Sequence, residues 1–145
     1  MFDKRFSAGY LANHMARLFF HALQRNIAAL DLAPAQFMTL LELWEEDGLT
    51  QAELVERLDV EQATMANTLK RMERDGLIER KPHPVDRRSR KNCLTERGRN
   101  LQKPATEAAT SVNEIALQGL NPWERTALIE LMRNTISNLQ KAERF

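Results

Sequence analysis

Residues 76–98 read GLIERKPHPVDRRSRKNCLTERG, and this stretch decides the fold. Leu77-Ile78-Glu79-Arg80 has the length and flanks of a β-strand, and Asn92-Cys93-Leu94-Thr95 reads as its return. Between them, Lys81 to Arg90 contains Pro82 and Pro84, which rule out a helix, and has no apolar face to bury. The expectation is a hairpin with a long basic tip, from which Arg87, Arg88, Arg90 and Lys91 project. Cations this close repel one another unless a polyanion accepts them. Asp86 can orient one neighbouring arginine by a bidentate pair. The alternative is a solvated loop that touches nothing.

Upstream the pattern is helical. Thr50-Gln51-Ala52-Glu53 forms a capping box, in which hydroxyl and carboxylate each accept the other residue's backbone N–H. Leu54, Val55 and Leu58 are the buried face of the helix it opens. After a turn at Asp59-Val60, a second helix runs from about Glu61 to Asp75, with Met65, Leu69 and Met72 inward and Gly76 ending it. An earlier helix starts near Pro34, carries Phe37, Leu40, Leu41 and Trp44, and stops near Gly48. Three helices, strand, basic loop and strand is the order of a winged helix-turn-helix.

The helix after the turn then offers Gln62, Ala63, Thr64, Ala66, Asn67 and Lys70 to a major groove. Asn and Gln pair bidentately with adenine, and small residues approach a thymine methyl. Asn67 is the first candidate base reader, with Gln62 and Thr64 next. Lys70, Arg71 and Arg74 suit phosphates, or pair with Asp75 and Glu73 along the helix. The alternative for the whole set is a solvated helix face.

Both ends of the chain carry more apolar helix than such a lobe needs. After Ser7, a possible N-cap, Leu11, Met15, Leu18, Ala22 and Leu23 follow helical spacing. Thr95 opens a long fifth helix with Leu101, Ala105, Ala108, Val112 and Ile115 on one side, and Pro104 should bend it. A sixth begins at Asn121-Pro122-Trp123-Glu124, another capping box, and continues through Leu128, Leu131, Met132, Thr135, Ile136 and Leu139. The fold class expected is mainly α: a winged helix-turn-helix lobe over residues 33–99, with long N- and C-terminal dimerisation helices over 1–32 and 100–145. Phe2, Phe6 and Phe145 would cap the interface. The alternative is a larger monomeric core.

The 145 residues have a net charge of only +1, but the segment from Lys70 to Lys103 carries twelve basic and five acidic side chains. That segment is +7 and the remainder −6, an asymmetry that marks a local anion-binding surface. Cys93 is the single cysteine, so an internal disulfide and a cysteine-based zinc site within one chain are excluded. No apolar run is long enough to span a bilayer and no secretion signal opens the sequence, which suits a cytoplasmic protein. His14, His21 and His83 lack metal-ligand spacing. No phosphate loop, nucleophile elbow or paired catalytic carboxylate is present, so neither enzyme activity nor a cofactor is expected.

Residues 50–98 resemble the multiple-antibiotic-resistance regulator (MarR) family in Gly76-Leu77-Ile78-Glu79-Arg80, Asp86-Arg87-Arg88 and Leu94-Thr95-Glu96-Arg97-Gly98. Leu120-Asn121-Pro122-Trp123-Glu124-Arg125 resembles the start of that family's last helix, and Glu61-Gln62-Ala63-Thr64-Met65 is closest to its SlyA-like branch. The resemblance implies a homodimeric transcription regulator, a repressor by preference, in which the first, fifth and sixth helices intertwine and two winged lobes bind a pseudo-palindrome in double-stranded DNA. It implies that Arg88, with Arg87, is the minor-groove arginine. Many relatives carry arginine where this chain has Asn67, so half-site preference does not carry over. Members respond to small aromatic carboxylates or phenols, for which Tyr10, His14 and Arg17, with His21 on about the same side of the first helix, are the candidates; surface or interface polarity is the alternative. Oxidant-sensing relatives use a cysteine near the first helix, which is absent here, and Cys93 reads as a small buried hydrophobe. The competing functional class is a winged-helix protein-interaction or dimerisation module without specific DNA binding.

Overall fold

The structure is a computed structural model that describes residues 1–143. It divides into two compact units, Met1–Val112 and the segment from Asn113 on.

In the first unit a 3-10 turn at Lys4–Phe6 leads into α1 (Ala8–Ile27), where Ser7 Oγ accepts from the Tyr10 N–H at 3.2 Å. A second 3-10 turn, Ala28–Leu30, and Asp31 at φ +56° reverse the chain into α2 (Pro34–Glu45). Proline suits the first position of α2 because that N–H would be unpaired anyway. Ala33 has no hydroxyl to cap with, so the cap is one-sided: Gln36 Oε1 accepts from the Ala33 N–H at 3.0 Å. Then follow β1 (Leu49–Thr50), α3 (Gln51–Leu58), α4 (Gln62–Arg74), β2 (Ile78–Pro82), β3 (Arg90–Leu94), α5 (Glu96–Asn100) and α6 (Gln102–Ala116), whose last four residues belong to the second unit. The capping box at Thr50 is formed: its Oγ1 accepts from the Glu53 N–H at 3.2 Å, and the Glu53 carboxylate accepts from the Thr50 N–H at 3.1 Å. The fold class is the one expected, a mainly helical winged helix-turn-helix with long terminal helices.

Leu40, Leu43, Leu54, Leu69, Met72 and Leu77 are fully buried. Leu54, Met65 and Leu69 join α3 to α4 in this core, with Leu58 half-buried at its rim. The sheet runs β1-β3-β2, all antiparallel, and its register pairs Ile78 with Leu94, Arg80 with Asn92, and Pro82 with Arg90. Registered partners share a face of the sheet. One face therefore passes from the core pair Ile78/Leu94, through Arg80/Asn92, to Pro82/Arg90 at the tip. The other carries Glu79, Cys93, Lys81 and Lys91.

Three expectations are corrected, and one strand stands where none was expected. The strands reach further toward the tip than read from sequence, so Lys81, Pro82, Arg90 and Lys91 belong to the sheet; Pro82 is tolerated at the end of an edge strand, where no ladder donor is needed. The two-residue β1 is too short to leave a periodic trace. The long fifth helix is broken at Leu101 into α5 and α6: Pro104 has no N–H for the Asn100 carbonyl and crowds it, so the ladder parts instead of bending. Cys93 is half-exposed on the outer face, not buried.

In the second unit, Gly119 at φ +84° precedes α7 (Pro122–Glu143). Its box is closed by Asn121 Oδ1 accepting the Glu124 N–H at 2.9 Å and Glu124 Oε1 accepting the Asn121 N–H at 3.0 Å. No described residue of α7 is buried: Leu131 is 62% and Ile136 52% exposed. In α1 only Ile27 is buried, and Leu18 is 58% exposed. Phe2 and Phe6 are also exposed. Phe145 lies outside the described residues. No single described helix is long and apolar enough to cross a membrane.

Candidate nucleic-acid interface

Helix α4 buries Met65, Thr68, Leu69 and Met72 and leaves the opposite side open, because those four follow a three-to-four spacing. Gln62, Ala63, Thr64, Asn67, Lys70 and Arg71 are exposed and Ala66 is half-buried. Gln62 is partly engaged, its Oε1 accepting from Gln51 Nε2 at 3.2 Å. Arg74 turns to its neighbour Asp75 at 3.0 Å. Asp75 also accepts from Gln36 Nε2 at 2.9 Å, and these two contacts, Arg74 first, hold its carboxyl below the usual range. The carboxylate thereby ties the end of α4 to the start of α2, while Asn67, Lys70 and Arg71 have no ion-pair or side-chain hydrogen-bond partner among the described residues.

The wing tip is folded by its own backbone. His83 Nδ1 accepts from the N–H groups of Val85 and Asp86 at 3.1 and 2.9 Å. Asp86 Oδ1 accepts from the Arg88 N–H at 3.0 Å and its Oδ2 from Ser89 Oγ at 3.1 Å. This corrects the bidentate role expected of Asp86: both of its oxygens are spent on the turn, not on a guanidinium. Arg87, Arg88 and Arg90 are exposed, with no carboxylate partner among the described residues. Lys91 differs; it is half-buried on the outer face, with its Cε over Gly48.

Between the wing and the start of α3 lies a cleft of about 390 Å3, lined by Gln51, Gln62, Arg80, Arg88, Arg90 and Asn92 among others. Arg80 escaped the sequence reading. Its signal was the alternation Ile78, Arg80, which places a cation on the core-facing side of a strand. Tyr10, His14 and Arg17 are exposed on α1, where His14 meets Tyr10 edge-on at 6.3 Å and Lys4 Nζ stands 5.6 Å from the Tyr10 ring centre. They line neither this cleft nor the larger one of about 530 Å3 at Asp31, Gln36, Arg71 and Arg74. No cluster of three or more His, Cys, Asp or Glu residues among those described has metal-binding geometry.

The profile of the MarR family matches residues 32–89, from the start of α2 into the wing. The transcriptional repressor NicR of Pseudomonas putida is 33% identical over 111 residues, 77% of this chain and 70% of NicR. The chain belongs to the MarR family. Its fold is also that of BpsR from Bordetella bronchiseptica, a protein whose DNA binding is regulated by 6-hydroxynicotinic acid, with a TM-score of 0.85 and 26% identity over 93% of this chain and 96% of BpsR. The SlyA structure matches at a TM-score of 0.84 and 24% identity over 90% of this chain and 92% of SlyA, a likeness of fold that does not single out the SlyA-like branch. As a MarR-family protein this chain is a DNA-binding transcription regulator, in a family whose members act by binding and not by catalysis.

Proposed function

We propose that this MarR-family regulator represses by binding a pseudo-palindromic operator as a homodimer, with α4 in the major groove and the wing arginines in the flanking minor groove. The observation that carries the reading is the open face of α4 beside a wing tip whose one carboxylate, Asp86, is spent on its own turn, leaving Arg87 and Arg88 free for a polyanion. Asn67, with Gln62 and Thr64, reads base edges while Ala63 allows close approach; Lys70, Arg71, Arg90 and Lys91 hold phosphates. The exposed apolar faces of α1 and α7 are the material of the dimer, and residues 1–32 and 100–145 its dimerisation segments. The stretch from Glu61 to Met65 supports a SlyA-like branch. The regulation of BpsR by an aromatic carboxylate, and the repressor name of NicR, support repression relieved by a small aromatic carboxylate or phenol, with Tyr10, His14 and Arg17 as its contacts. Such a regulator works in the cytoplasm, where its DNA is.

The test is binding to a promoter fragment selected from random duplexes. Arg88→Ala should weaken binding about tenfold or more, as expected when a charge-assisted hydrogen bond is removed from each half-site. Unchanged affinity would remove the wing from the mechanism.

A further inference from the structure

We propose that the cleft between α3 and the wing seats one backbone phosphate of the bound duplex, with Arg80 as its ligand; the proposal rests on the DNA-binding reading above. Three arginines, Arg80, Arg88 and Arg90, line the cleft, and no carboxylate does. Among the described residues, the buried side-chain nitrogen and oxygen atoms left without a hydrogen-bond partner are two: Arg80 Nε and Asn92 Oδ1. They belong to one cross-strand pair, and of the two only Arg80 Nε is a donor that an anion can accept from; Asn92 Oδ1 is an acceptor and takes no part in holding one. Asn92 is only 2% exposed, and its Nδ2 is committed to the Leu49 carbonyl at 2.9 Å, so the side chain is fixed where it stands beside Arg80.

Arg80 is half-buried but its Nε donor is fully enclosed, and a buried donor without a partner is costly enough that an ordered water or an ion ordinarily completes it. An oxyanion completes this one, since a guanidinium offers paired donors that match two oxygens. Gln51 and Ala52, the first two residues of α3, line the same cleft, but the Glu53 carboxylate already answers that helix N-terminus, so the attraction rests on the three arginines.

The place selects the anion. Gln62, on one wall, begins the helix assigned to the major groove; Arg88, on the other, belongs to the tip assigned to the minor groove. A sugar–phosphate strand separates any two adjacent grooves, so a duplex that accepts both elements must carry that strand across the cleft. Arg80 then sets register: it pins the strand at a fixed point between two base-reading elements without reading a base itself.

The experiment combines Arg80→Gln with a scan of methylphosphonate substitutions, each removing one phosphate charge from the operator. With wild-type protein, one position per half-site should cost about tenfold in affinity. Arg80→Gln should weaken binding by a similar factor on the natural duplex, equally on unrelated sequence, and show no further effect of substitution at that position. Its salt dependence should be shallower by about 0.9 for each phosphate the variant no longer neutralises. Arg80→Lys, which keeps the charge and leaves the sheet intact, should regain the slope and part of the affinity, and it carries the test where the glutamine variant does not fold. Binding by Arg80→Gln equal to wild type, or effects that multiply at every substituted phosphate, would overturn the assignment while leaving the DNA-binding reading in place. Wild type that ignores every substitution, yet gains thermal stability from inorganic phosphate through Arg80, would show a free-anion site and overturn it too. Wild type that binds no duplex fails both readings.

Discussion

Gly98 has ordinary helical geometry, and what requires glycine there is space. A Cβ at this position would stand 2.3 Å from the Leu77 carbonyl oxygen and 3.2 Å from Leu94 Cδ2. The contact is tight because several bonds converge on it. The Thr95 N–H donates to the Leu77 carbonyl at 3.1 Å, Thr95 Oγ1 accepts from the Gly98 N–H at 3.1 Å, and Trp44 Nε1 donates to the Gly98 carbonyl at 2.9 Å. Backbone cannot rotate away as a side chain can, so Gly98→Ala must push α5 off the start of β2. The expected cost is about 1–3 kcal/mol in urea unfolding, the range for overpacking a filled site. Because the displaced helix follows the wing strand directly, DNA affinity should fall with it. A variant of wild-type stability would mean that α5 yields freely and that the motif's glycine has no packing role.

At the level of elements, the start of α3 carries the clearest link from sequence to stability. Thr50→Ala removes the hydroxyl that accepts from Glu53 and should cost about 1 kcal/mol. Glu53 also makes this cap sensitive to acid. Its carboxyl lies below the ordinary value of 4.5, chiefly because it accepts from the Thr50 backbone and then from the Thr50 hydroxyl. A carboxyl depressed in the folded state stabilises above its unfolded value, and that contribution is lost as pH falls through the folded value. Glu53→Gln should therefore flatten the acid limb of a stability–pH curve below about pH 4.5; an unchanged limb would assign the acid sensitivity to other carboxylates. These caps were legible because they use short-range chemistry: both partners lie within four residues. The helices around Leu54 and Leu69 were legible through spacing. The break at Leu101 was not, because a proline in a helix pattern can bend or sever it, and the choice depends on how the flanking turns pack. Nor was β1, which exists only because Leu49 and Thr50 find Asn92 and Lys91 more than forty residues away. The site divides likewise. The exposed face of α4 and the tip arginines follow from local pattern, whereas Arg80 gains its place from its cross-strand partner Asn92.

On the scale of the whole molecule, two long helices present apolar side chains that nothing in their own compact units covers. Leu11, Met15 and Leu18 are exposed along one side of α1, and Ile129, Met132, Ile136 and Leu139 along one side of α7. Isolated exposed hydrophobic residues are ordinary, but rows of them at helical spacing on two helices are not, and they mark surfaces that associate. A second copy of the chain is the occupant that also suits the proposed function, since two wings on one duplex require two lobes held at a set spacing. Placing a charge in each row tests this directly. The double variant Leu18→Glu, Ile136→Glu should sediment as a monomer at micromolar concentration, where the proposal has the wild type sediment as a dimer. Both positions are already more than half exposed, so the secondary structure of a surviving monomer should be retained by circular dichroism. Its lobe keeps Arg88 and the open face of α4, so weak binding to one half-site should persist while tight binding to the full operator disappears, because linkage supplies an effective concentration that a lone lobe lacks. A double variant that remains dimeric would place the interface elsewhere on the chain. One that is monomeric yet binds the full operator as tightly as wild type would show that pairing of the two lobes contributes nothing to recognition.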